Sequence, residues 1–123
     1  MSETHELGLA RFLTQRHAAR WRTVGARHDD LSHFTSRLDL ARSERLGGQA
    51  ADDGAVVARL VAEGAPARCV VFSQDIGWGV ERELREAVEE LAWTANGGFA
   101  SCIAGRLALY VEEFHASVVL LRR

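Results

Sequence analysis

His28, Asp29, Asp30 and His33 form the densest cluster of metal-ligating side chains in this chain of 123 residues. On a helix that begins at Asp29, Asp29 and His33 stand at i and i+4 on one face and could share a divalent ion. The competing reading is local. Aspartates at a helix start cap it, complement its dipole and hydrogen-bond a nearby histidine. No set of four ligands at zinc-like spacing accompanies the cluster, so neither a tight metal nor any other cofactor is expected.

The segment Asp75-Ile76-Gly77-Trp78-Gly79 is the second candidate. It falls between an apolar run and a helical pattern, where ligands gather at the carboxyl end of a strand. A phosphate loop is rejected, because the third glycine of G-x-G-x-x-G is missing and Glu81 and Glu83 would repel an anion. What remains is a carboxylate beside an indole, with Asp75 and Trp78 as tentative ligand- or partner-binding residues. The opposing reading folds Trp78 back onto the sheet edge. His17 lies among apolar residues on the first helix and reads as a boundary residue, and His5 and His115 have no visible partner.

The third candidate is a basic arm. Arg11, Arg16, Arg20, Arg22 and Arg27 oppose only Glu3 and Glu6 in the first 27 residues, a net of +3, whereas the rest of the chain carries −5. Interleaved with Phe12, His17 and Trp21, these arginines have the composition of a nucleic-acid or membrane-surface helix. The acidic whole chain and the lack of any helix-turn-helix or RNP-like motif weigh against nucleic acid, and arginine stems also cover apolar surface without a ligand. All fifteen basic residues are arginine, which removes lysine Schiff-base chemistry. No G-x-S-x-G, H-E-x-x-H, P-loop or C-x-x-C motif occurs. Cys69 and Cys102 sit in apolar surroundings and read as buried, reduced thiols.

The elements that must position these residues follow from periodicity. Leu9, Leu13, His17, Trp21 and Val24 predict one helix from Thr4 to Gly25, and Leu31, Phe34, Leu38 and Ala41 a second that ends at Gly47-Gly48. Asp52 or Asp53 caps a third, which Gly64 and Pro66 end. Cys69–Phe72 is a strand apolar on both faces, and a fourth helix runs from Val80 to Ala95. Strands then follow at Phe99–Ala104, Leu107–Val111 and Ser117–Leu121. The expected architecture is α+β in a single domain. A helical arm of two to three helices (residues 1–48) packs on a β-α-β-β-β mixed four-stranded sheet within the body (49–123).

Composition is that of a globular chain, with 47% hydrophobic and 26% charged residues, and no apolar run is long enough to span a membrane. The acidic N-terminus lacks the basic region of a signal peptide, so a cytoplasmic location is expected. The favoured function is a small non-catalytic interaction or regulatory module, acting as a homodimer or on a protein partner. Its motive is that doubly apolar strands need cover on both faces. A small-molecule binder or enzyme using Asp75, Trp78, His28, Asp29 and His33 stands second, and a nucleic-acid accessory protein third.

Overall fold

The computed structural model describes residues 2–24, 37–48, 51–115 and 117–123. Among the described residues, four α-helices and six strands follow one another in the order α1 (Ser2–Leu9), α2 (Gln15–Val24), β1 (Ser43–Gly47), α3 (Asp53–Ala62), β2 (Arg68–Ser73), β3 (Gly77–Glu83), α4 (Leu84–Ala92), β4 (Gly98–Ile103), β5 (Leu107–Val111) and β6 (Val118–Arg122). The strands form one sheet in the order β1-β6-β5-β4-β2-β3, and every neighbouring pair is antiparallel.

The class is α+β, but the mixed four-stranded sheet is replaced by an antiparallel six-stranded one. Two strands account for the difference. Gly77-Trp78-Gly79 begins β3 instead of forming a turn, and Val80–Glu83 continues that strand, so α4 starts only at Leu84. Gly79, at φ +74°, is the extra residue of a bulge, since Val71 pairs with Val80 while Phe72 pairs with Trp78. At the other edge, Ser43–Gly47 is a strand and not the end of a second helix. Leu38, placed on that helix by its spacing, instead bridges Leu13. The connection from β2 to β4 therefore passes through a hairpin and a helix, and no parallel crossover forms.

The long first helix is also divided. A 3-10 turn at Ala10–Phe12 separates α1 from α2, because the backbone at Leu13 turns away to pair with residues 37–39. Thr14 then precedes α2, and its hydroxyl shares a 2.7 Å hydrogen bond with Nδ1 of His17. The third helix starts as its sequence indicates. Asp52 caps it, accepting from the amides of Gly54 and Ala55, and Gly64 follows its end at φ +104°.

The sheet is covered on both faces by its own chain. Val70, Phe72, Phe99, Ala108, Tyr110, Val119 and Leu121 point to one side, where Leu9, Phe12, Leu13 and Trp21 of the arm pack on them. Cys69, Val71, Ala100, Leu107, Leu109, Val111, Val118 and Leu120 point to the other, beneath Val56 and Leu60 of α3 and Leu84, Val88 and Leu91 of α4. This explains why these strands read as continuous apolar runs although the sheet is antiparallel. It also removes the motive for a second chain as cover.

Candidate functional site

Asp75 and Trp78 face different partners. Asp75 lies in the turn between β2 and β3 and holds the loop after α4. Its Oδ2 accepts from the Asn96 amide and its Oδ1 from Asn96 Nδ2, both at 3.0 Å. Trp78 faces the arm. Its Nε1 donates to Glu6 Oε1 at 3.0 Å, and its ring lies 5.3 Å from Phe72 and 6.4 Å from Trp21. Glu6 engages both indoles, since its backbone carbonyl also accepts from Trp21 Nε1 at 2.7 Å. The half-buried Trp78 is thus built into the junction of α1 with the sheet.

His28, Asp29 and His33 lie outside the described residues, as does Arg27. Among the described residues no group of three or more His, Cys, Asp or Glu side chains is placed to hold a metal. Arg11, Arg16, Arg20 and Arg22 are all exposed. Of these, Arg11 and Arg22 line a common recess between α1, α2 and the turn from β4 to β5.

His5 does have a partner. Its Nδ1 shares a 2.7 Å hydrogen bond with Oγ of Ser101, 96 residues away on β4. Burial lowers the His5 pKa, favouring the neutral ring. A serine hydroxyl on an imidazole is the contact that nucleophilic catalysis requires. Ser101, however, is fully buried, so no substrate carbonyl reaches its oxygen, and the bond fastens α1 to the sheet. No local pattern marks this pair, because its members lie at opposite ends of the chain. Cys69 and Cys102 are free and buried, and burial pushes each thiol up to about 12. Neither is a thiolate nucleophile at neutral pH.

The feature that the sequence pattern hid lies at the end of the sheet where β4 begins. Trp93 closes α4, its amide donating to the Glu90 carbonyl, yet its side chain is 89% exposed. The loop that follows is tightly held. Thr94 Oγ1 donates to the Leu91 carbonyl and accepts from the Gly97 amide, and Ser73 Oγ donates to the Gly97 carbonyl. Gly97, at φ +70°, lies so close to the Val111 carbonyl that a Cβ would collide with it. Against this loop rests the connection from β5 to β6, where the Phe114 amide donates to the Ala95 carbonyl at 3.3 Å. Phe114 is 64% exposed and has a left-handed backbone, φ 52° and ψ 28°, a conformation that costs a non-glycine residue about 1–2 kcal/mol. Two large aromatic side chains are therefore presented to solvent from adjacent loops on a well-bonded base. The spacing of Trp93, nine residues after Leu84, could have flagged it as lying off the apolar stripe of α4.

The chain matches no protein-family model, no curated protein and no solved structure. Among the described residues no helix is long and apolar enough to cross a membrane.

Proposed function

We propose that this chain is a small non-catalytic protein-interaction module, and that the sheet end carrying Trp93 and Phe114 is its contact surface. The observation that carries the reading is the 89% exposure of Trp93, against 2% for the core indole of Trp21. An exposed tryptophan gives nothing to the chain's own core, but buried at an interface it is among the residues that contribute most to binding. The strained backbone of Phe114 supports the same reading, because such strain is retained where the presented side chain is used. The loop bonds around Thr94, Gly97 and Asp75 pre-organise the surface and lower the ordering cost of association.

Glu89 precedes Trp93 by one helical turn, and Glu112 and Glu113 precede Phe114. A partner with an apolar recess suits this surface. Homodimerisation is the alternative form of the same reading. The free, buried thiols of Cys69 and Cys102 fit a reducing compartment such as the cytoplasm.

The test compares the wild-type chain with Trp93→Ser/Phe114→Ser. The double variant should keep the wild-type melting temperature while losing a partner that the wild type captures from lysate at near-stoichiometric yield. Light scattering over a hundredfold dilution separates self-association from a foreign partner. A captured set unchanged by the double substitution, with no self-association to lose, overturns the reading.

A further inference from the structure

At the opposite end of β4 from Trp93 is the recess, about 460 Å³ in volume, lined by Thr4, Leu7, Gly8, Arg11, Arg22 and the turn residues Ala104 and Gly105. Its wall is a helical stripe: Thr4, Leu7, Gly8 and Arg11 stand at i, i+3, i+4 and i+7 on α1 and its 3-10 extension. Two glycines bring this stripe onto the β4–β5 turn. A Cβ on Gly8 would lie 2.5 Å from the Gly105 amide nitrogen, and one on Gly105, at φ +71°, would lie 2.9 Å from Cδ of Arg11. The Arg11 stem thus lies across a buried Gly105 and its guanidinium is held at the recess. Arg22 reaches the same recess from α2.

Among the described residues, neither guanidinium has a hydrogen-bond or ion-pair partner, and no carboxylate lines the recess. Other arginines of the chain are paired, as Arg59 is with Glu44 and Arg68 with Glu81. Arg42, which pairs with Asp39 at 3.8 Å, donates from Nη1 to the backbone carbonyl of Arg11 and does not line the recess. Leu7, 57% exposed, and Ala104 give the recess an apolar flank.

We propose that this recess binds a small phosphate monoester, its phosphoryl group held by Arg11 and Arg22 and its organic part lying against Leu7 and Ala104. Guanidinium forks match phosphoryl oxygens in pairs, and two cations suit a group that is dianionic above a pKa near 6. The Thr4 hydroxyl can donate to the same oxygens. The volume lies within the roughly 300–1,000 Å³ usual for small-molecule sites. A phosphodiester backbone carries only one charge per phosphate and follows a surface, so a single pair of arginines converging on one recess fits it less well.

The test is calorimetric titration of the full chain with phenyl phosphate, and separately with inorganic phosphate, benzoate and a single-stranded oligonucleotide. Saturable binding of phenyl phosphate is expected, tighter than that of inorganic phosphate or benzoate, and weakening below pH 6 as the phosphoryl group takes up a proton. Arg22→Gln, at an exposed position, should weaken it about tenfold or more at an unchanged melting temperature, and Arg11→Gln/Arg22→Gln should abolish it while the chain still melts cooperatively. Arg16→Gln, exposed on α2 but outside the recess, should bind as the wild type does. Absence of saturable binding at millimolar phenyl phosphate, undiminished binding by Arg22→Gln, or tighter binding of the oligonucleotide overturns the proposal.

Discussion

Glu6 shows how much of the structure depends on single polar contacts, because its backbone and side chain each receive an indole N–H. Trp78→Ala should therefore destabilise the fold by about 2–4 kcal/mol, comparable with truncation of a core leucine. Trp78→Phe, which keeps a ring but loses the bond to Glu6, should cost about 1 kcal/mol. Thermal melts beside Leu84→Ala check both, and a Trp78→Ala melt matching wild type would mean that the arm does not depend on this indole. His5 gives a pH signature. Its folded pKa is lowered from 6.5, so the unfolded chain binds the proton more readily. Its effect on stability is therefore absent well above pH 6.5, and stability falls as the pH drops through 6.5 towards the folded pKa. His5→Gln should flatten the melting temperature between pH 7 and 5 relative to wild type, and an unchanged slope would exclude His5 as its source. Neither contact is legible in the sequence, because each joins residues more than 70 positions apart. The burial of Cys69 and Cys102 was legible, since their apolar neighbours announce it.

At the scale of elements, legibility followed burial. Strands β2, β4, β5 and β6 are interior, and their apolar runs place them within a residue or two of their observed bounds. The edge strands β1 and β3 escaped, because an edge is exposed and polar. Ser43-Glu44-Arg45 and Glu81-Arg82-Glu83 contain residues that also favour helices, and only their pairing makes them strands. These charges and the bulges beside them also discourage pairing with another sheet. Strand β1 is further held by ions. Arg59 on α3 forks onto Glu44 at 2.7 and 2.8 Å and reaches Glu63 at 3.1 Å, while Arg122 on β6 bonds Glu63 at 2.9 Å. The Arg59 guanidinium holds both carboxyls below their ordinary value of 4.5. Depressed carboxyl pKa values stabilise the fold above pH 4.5, and this contribution is lost as the pH falls through the folded values. Arg59→Met should accordingly lower the melting temperature at pH 7 and narrow the difference from wild type at pH 3, a convergence that melts at the two pH values would reveal. A deficit of equal size at both would assign the effect to packing.

For the whole molecule, the decisive arrangement is a sheet between two helical layers drawn from one chain. The arm is thus a structural layer as well as the carrier of Arg11 and Arg22, and the candidate contact end and the recess are left at opposite ends of β4. Composition and strand pattern gave the class and the need for cover on both faces, but not which segment supplies it, since a doubly apolar strand looks the same beneath its own helix or a neighbour's. Removing residues 1–24 tests that assignment directly. The deletion takes away Leu9, Phe12, Leu13 and Trp21, all nearly or fully buried, and each such side chain contributes about 1.5–3 kcal/mol by burial. Their sum, roughly 6–12 kcal/mol, is comparable with the whole stability of a domain this size. It also uncovers Phe72, Phe99, Tyr110 and Leu121 on one contiguous face, larger than soluble monomers usually tolerate. The truncated chain should be insoluble, self-associated, or expanded with strong binding of an apolar dye. A soluble truncated monomer with a cooperative melt near that of the full chain would show that α1 and α2 do not close this face, and with it would fall the argument that the chain needs no second copy.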